Sequence, residues 1–159
     1  MNMILDELAA SLPNAQEAVR VIVRLIAAVL AGGIIGLQRE TSGKAAGLRT
    51  HILVCAGTTL FVLAAIDVGM ENDAMSRVIQ GLATGIGFLG AGAILKVESS
   101  HQIKGLTTAA GIWITAALGV AIGVGQLGTA AIGTLLAWFV LAVLIKVDKR
   151  IDGSNSDRA

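Results

Sequence analysis

Between Gly105 and Ile145 the chain carries no Asp, Glu, Lys, Arg or His. As one helix this segment would run about 60 Å at 1.5 Å per residue, twice the roughly 30 Å of a bilayer's hydrocarbon core. An apolar stretch of that length has no place on a water-exposed surface. The segment is therefore expected to cross lipid twice, turning back at Gly123-Val124-Gly125-Gln126-Leu127-Gly128.

Three further segments match the length of a membrane crossing. Val19 to Leu37 is interrupted only by Arg20 and Arg24, Thr50 to Met70 holds Asp67 near its end, and Val78 to Leu95 has no charge. Charged residues make up 14% of the chain and hydrophobic ones 55%, against about 25% charged in a soluble domain. The fold class expected is all-α: a polytopic membrane protein with a bundle of five transmembrane helices. Residues 1–18 form an N-terminal segment, 19–145 the membrane domain and 146–159 a short tail.

Lys and Arg set the orientation. Arg39, Lys44, Arg49, Lys96, Lys104, Lys146, Lys149, Arg150 and Arg158 fall on one side of a five-span arrangement, nine of the chain's twelve basic residues. Arg77 stands on the other side beside Glu71 and Asp73. This places the N-terminus in the periplasm and the C-terminus in the cytoplasm of a bacterial inner membrane. No cleavable leader is expected, because Asp6, Glu7 and Glu17 occupy the first 19 residues without a basic start. The single Cys55 excludes an intrachain disulfide, and His51 and His101 lie too far apart to suggest a zinc site.

The 20 glycines are costly in a water-exposed helix, but in lipid small residues let helices approach closely. Thr107, Gly111, Thr115, Gly119 and Gly123 recur at intervals of four, as do Ala28, Gly32 and Gly36. Gly81 and Gly85, with Gly87, Gly90 and Gly92, give the third span a similar character. All are expected to pack helix against helix. Gly85-Ile86-Gly87-Phe88-Leu89-Gly90 matches the dinucleotide fingerprint GxGxxG, but that motif needs a strand-to-helix turn facing water. Inside an apolar span it reads as packing or a local break.

The ionisable residues gather near the ends of the spans. Asp67 is expected to pair with Arg24 or Arg77, either as a structural ion pair or as a cation or partner site facing the periplasm. At the other face Gln38-Arg39-Glu40 closes the first span, Ala46 to His51 opens the second, and Gly105 to Ala110 opens the fourth. Arg39 and Arg49 are expected to pair with Glu40, and Thr107 and Thr108 to cap the fourth span. Capping and basic anchoring account for much of this polarity, including Thr50. A site for an anion, a lipid head group or a protein partner is the alternative. No acid pair, nucleophile with base or phosphate loop stands in a setting suited to catalysis.

Four segments taken together resemble the membrane domain of the MgtC/SapB family: Gly32 to Glu40, Ala46 to Thr50, Arg77 leading into Gly85 to Gly92, and Gly105 to Ala110 with Trp113. The resemblance runs from about residue 20 to 145. It implies an inner-membrane protein linked to growth in low magnesium and, in pathogens, to virulence. It further implies a regulator acting through other membrane proteins, ATP synthase among them, rather than an enzyme. A divalent cation (Mg2+) transporter or channel is the competing reading, and a homodimer without ligand a third. No cofactor or nucleic acid is expected; the bilayer is the constant partner. Gln38 stands where the family commonly has an acid, and with 146–159 read as a short tail the soluble domain of longer members is not expected.

Overall fold

The computed structural model describes residues 14–97 and 102–156. Residues 1–13 of the N-terminal segment, and Arg158 in the tail, lie outside these residues. Five helices and one short hairpin follow in order: α1 (Ala15–Thr41), α2 (Leu48–Asp67), α3 (Asn72–Gly92), β1 (Leu95–Val97), β2 (Gln102–Lys104), α4 (Leu106–Gly123) and α5 (Leu127–Ser156). Of these, α1, α2 and α4 are long and apolar enough to cross a membrane; the apolar part of α5 described here, Leu127–Val143, is shorter.

Helix α1 begins four residues before the expected span. Asn14 Oδ1 accepts from the Glu17 amide at 2.9 Å, and the Asn14 amide donates to Glu17 Oε2 at 3.1 Å. This reciprocal box satisfies two amides at the start of the helix and holds its first turn outside the apolar run. Three helices end on a glycine with positive φ: Gly43, Gly69 and Gly125. At the third of these the Gln126 amide reaches back to Ala121 O at 2.8 Å, the turn that folds the charge-free segment into two helices. The hairpin is a departure from an all-helical chain. β1 and β2 pair antiparallel with Lys96 opposite Ile103, and β-branched Val97 and Ile103 suit the extended backbone.

Helix α4 touches all four other helices. It shares one wall with α1 and α2, a second with α2 and α3, and a third with α1 and α5. Glycines set the two tightest crossings. A Cβ on Gly32 would lie 2.6 Å from His51 O, and one on Gly36 would lie 2.7 Å from Leu48 Cα, so α1 and α2 meet backbone to backbone. On α4, a Cβ at Gly119 would strike Thr58 Oγ1, and one at Gly123 would lie 2.6 Å from Val62 Cβ. Close approach of this kind is how helices gain dispersion contacts in a solvent as apolar as themselves.

Helix α3 is different. A Cβ at Gly81, Gly85, Gly87 or Gly92 meets nothing within 4 Å, and at Gly90 it makes only ordinary contact with Ala109. The packing role expected of Gly85, Gly87 and Gly92 is therefore corrected: within this chain they face open space, because α3 presses only Ile86 and Gly90 into the bundle. Outside, Val19, Ile22, Val23, Ile26, Leu30, Ile34 and Leu37 of α1 are all exposed. A surface of that kind suits lipid rather than water.

Candidate functional site

Consecutive residues on a helix point about 100° apart, and at the end of α1 three of them reach three different helices. Gln38 Nε2 donates to Leu141 O of α5 at 3.0 Å. Arg39 turns inward, where its Nη2 donates to Thr108 Oγ1 of α4 at 2.7 Å. Glu40 Oε2 accepts from the Leu48 amide at 2.7 Å, which caps α2. Gly47, the residue before that helix, has no side chain to do so, and a Cβ there would lie 2.8 Å from Glu40 Oε2. The expected pairing of Glu40 with Arg39 and Arg49 is thereby corrected. The carboxylate serves the orphan amide, Arg39 goes to Thr108, and Arg49 is exposed.

Arg39 is fully buried, the sole charged residue so enclosed among the described residues. Its Nε and Nη1 have no partner, nor has His51 Nε2 or Gln38 Oε1. A buried donor left unsatisfied costs about 1–3 kcal/mol, and a buried charge ordinarily has a counter-charge. His51, also fully buried, lies 2.7 Å from Thr115 Oγ1 through Nδ1. The single Thr115 proton goes to Gly111 O at 2.8 Å, so His51 Nδ1 donates and Nε2 keeps its lone pair. Gly111 lies beside both groups: a Cβ there would be in ordinary contact, 3.5 Å from His51 Cε1 and 3.9 Å from Arg39 Nε. A polar centre of Arg39, His51, Thr108 and Thr115, drawn from three helices, thus sits inside an apolar bundle.

Thr108 holds an unusual position in it. Thr58, Thr84, Thr115 and Thr134 each return their proton to the carbonyl four residues back. Four residues before Thr108 stands Lys104, in β2 rather than in the helix. The capping expected of Thr107 and Thr108 is corrected too: Gly105 is the N-cap at φ +96°, no side chain caps α4, and Thr107 is exposed. Beside Thr108 opens a cavity of about 370 Å³, whose wall includes Thr50, Phe88, Leu89 and Gly92.

At the opposite end Arg24 Nη1 donates to Gly123 O at 2.7 Å. The last carbonyls of α4 have no intrahelical donor, so a cation there is favoured. Asp67 and Arg77 are both exposed. The expected pairing of Asp67 with Arg24 or Arg77 is replaced by this cap, since Gly123 O stands inside the bundle and Asp67 faces out. Replacing Arg24 by Ala is expected to cost about 1 kcal/mol, read as a melting temperature a few degrees lower in detergent. Arg24→Lys is expected to recover part of the loss.

The sequence put Thr115 in the packing stripe of α4 and His51 at the opening of α2, but assigned neither a polar partner. The spacing of Thr108 and Thr115, seven apart and so on one helical face, was the available signal.

The sequence profile described as MgtC family matches residues 25–150. Over 130 residues the chain is 45% identical to protein SrpB of Synechococcus elongatus, covering 75% of this chain and 71% of SrpB. It is 41% identical over 144 residues to YhiD of Escherichia coli K12, which bears a provisional magnesium-transporter name; 84% of this chain and 65% of YhiD are covered. Against protein MgtC of Salmonella typhimurium LT2 the identity is 36% over 131 residues, 82% of this chain and 55% of MgtC. The chain thus spans between about half and seven tenths of the length of these relatives. No solved structure matches it.

Proposed function

Because the chain belongs to the MgtC family, we propose that it is a non-enzymatic inner-membrane protein of magnesium adaptation that regulates other membrane proteins by contact. In this reading five helices cross the membrane, with the N-terminus periplasmic and the basic connections cytoplasmic. A membrane complex such as ATP synthase is the kind of partner the family resemblance implies.

One observation carries the preference for regulation over transport: among the described residues the fully buried charge is the guanidinium of Arg39. A magnesium path needs oxygen ligands, carboxylates above all, near octahedral geometry. A fixed buried cation repels Mg2+ at the place where α1, α2 and α4 meet. Among the described residues no group of three or more His, Cys, Asp or Glu is placed to hold a metal. The glycine contacts that draw α1, α2 and α4 together also favour a sealed centre.

The test is magnesium flux into liposomes loaded with a fluorescent indicator. Purified protein and its Asp67→Asn variant are both expected to give the rate of empty vesicles. A wild-type flux that Asp67→Asn removes would establish the transporter reading instead. In cells, photocrosslinkers at exposed Leu53 and Phe88 are expected to capture another membrane protein.

A further inference from the structure

We infer that the polar centre binds one ordered water molecule beside Gly111, which joins the guanidinium of Arg39 to the imidazole of His51. This goes beyond the choice between regulator and transporter and depends on neither.

Two independent observations meet at this point. The first is the chemistry left over on two fully buried side chains: a donor, Nε–H, on Arg39 and an acceptor, Nε2, on His51. The second is where these atoms lie. Gly111 is itself buried in α4, and a heavy atom at its Cβ position would stand 3.5 Å from His51 Cε1 and 3.9 Å from Arg39 Nε. Apart from the chain neighbours and helix backbone of Gly111, no other described atom comes within 4 Å of that position. Arg39 Nε is one of the unpartnered atoms and Cε1 is bonded to the other, so both border the same small space. The cavity beside Thr108 is lined by none of these three residues, so the two places are distinct.

The pattern of donors and acceptors selects the ligand. With the Nδ1 proton of His51 committed to Thr115, a single heavy atom here has to accept from Arg39 Nε–H and donate to His51 Nε2. Water does both. A halide has no proton to donate, and a metal ion is repelled by the guanidinium. Buried waters are held by polar groups that would otherwise go unsatisfied, and two such partners are enough. The water completes a chain of hydrogen bonds from Thr108 through Arg39, the water, His51 and Thr115 to Gly111 O. That chain ties α1, α2 and α4 together through groups that lipid cannot satisfy. Gly111 leaves the water its place: an alanine there meets no clash, but its methyl group stands where the water would.

The experiment is a double-mutant cycle of melting temperatures in detergent, with Gly111→Ala made in wild type and in Arg39→Met. Alanine in place of a helical glycine ordinarily stabilises, and at this position it makes only ordinary contacts. In wild type Gly111→Ala is nevertheless expected to lower the melting temperature by several degrees, because it strands the Arg39 and His51 groups. In Arg39→Met, where the donor is gone, the same change is expected to raise it. Nuclear magnetic resonance gives the second readout: magnetisation transfer from water to Arg39 Nε–H and His51 Cε1–H, present in wild type and lost in Gly111→Ala. Gly111→Ala melting at or above wild type overturns the site, and equal loss in both backgrounds does so too. Absence of the water signals from wild type, or their survival in Gly111→Ala, overturns it as well. A wild-type melting temperature that rises with bromide over gluconate at equal ionic strength, and not in Arg39→Met, replaces the water by an anion with a proton on His51 Nε2.

Discussion

Gly119→Leu is expected to prevent assembly of the bundle, while Gly85→Leu, the same change in a glycine of equally suggestive spacing, is expected to leave it intact. At position 119 even a methyl group runs into Thr58 Oγ1 and stands 2.5 Å from Cys55 O. The second obstacle is backbone, so α2 and α4 must separate, and the Thr59 hydrogen bond to Gly119 O at 2.9 Å separates with them. Overpacking a core by one or two methylenes costs about 1–3 kcal/mol; Leu adds four carbons against an unyielding neighbour. At position 85 nothing lies within 4 Å, and removing a helical glycine gains about 0.5–1 kcal/mol. The measurement is the yield of monodisperse protein in mild detergent, with the melting temperature of whatever is recovered. Wild-type yield from Gly119→Leu would mean that α2 and α4 do not cross as described. A collapse of Gly85→Leu would mean that α3 packs more closely than it does here.

That contrast marks how far sequence reasoning reaches in a membrane bundle. The turn near Gly125 was legible because a charge-free run twice the bilayer's thickness must fold back, and a glycine is the residue that ends a helix at positive φ. Intervals of four correctly drew attention to Gly32, Gly36, Gly119 and Gly123, since small residues so spaced form a stripe. Nothing in the spacing says whether a neighbour lies against the stripe, and Gly81 and Gly85 show one that is bare. The ion pairs failed for a related reason. Their places near the ends of the spans put Arg24 and Asp67 at one end of the bundle, but the side of the helix each faces decided the matter. Gly123 O was also a competitor for Arg24 that no list of charged residues contains. Gln38-Arg39-Glu40 was legible as a motif, yet its fan of contacts to α5, α4 and α2 exists only once those helices surround it.

Arg39→Met is expected to fold at least as stably as wild type and to fail in function. Methionine follows the stem of arginine and fills most of its volume, so packing against Thr108 and Gly111 is largely kept. What disappears is a buried charge with two unpartnered guanidinium nitrogens. Replacing buried ionic groups by apolar ones of similar size is often neutral or stabilising by about 1–4 kcal/mol. Arg39→Ala removes the stem as well, and a buried large-to-small change costs about 2–5 kcal/mol. In detergent freed of lipid, the melting temperature of Arg39→Met is therefore expected to equal or exceed that of wild type, with Arg39→Ala well below both. In cells lacking their own copy, neither variant is expected to restore growth in low magnesium. If Arg39→Met melts as low as Arg39→Ala, the guanidinium is structural, holding α1 to α4 through Thr108. If Arg39→Met is stable and restores growth, the buried cation serves neither fold nor function. A stable, inactive Arg39→Met places the cost of burying this charge on the side of function, where a ligand that neutralises it would act.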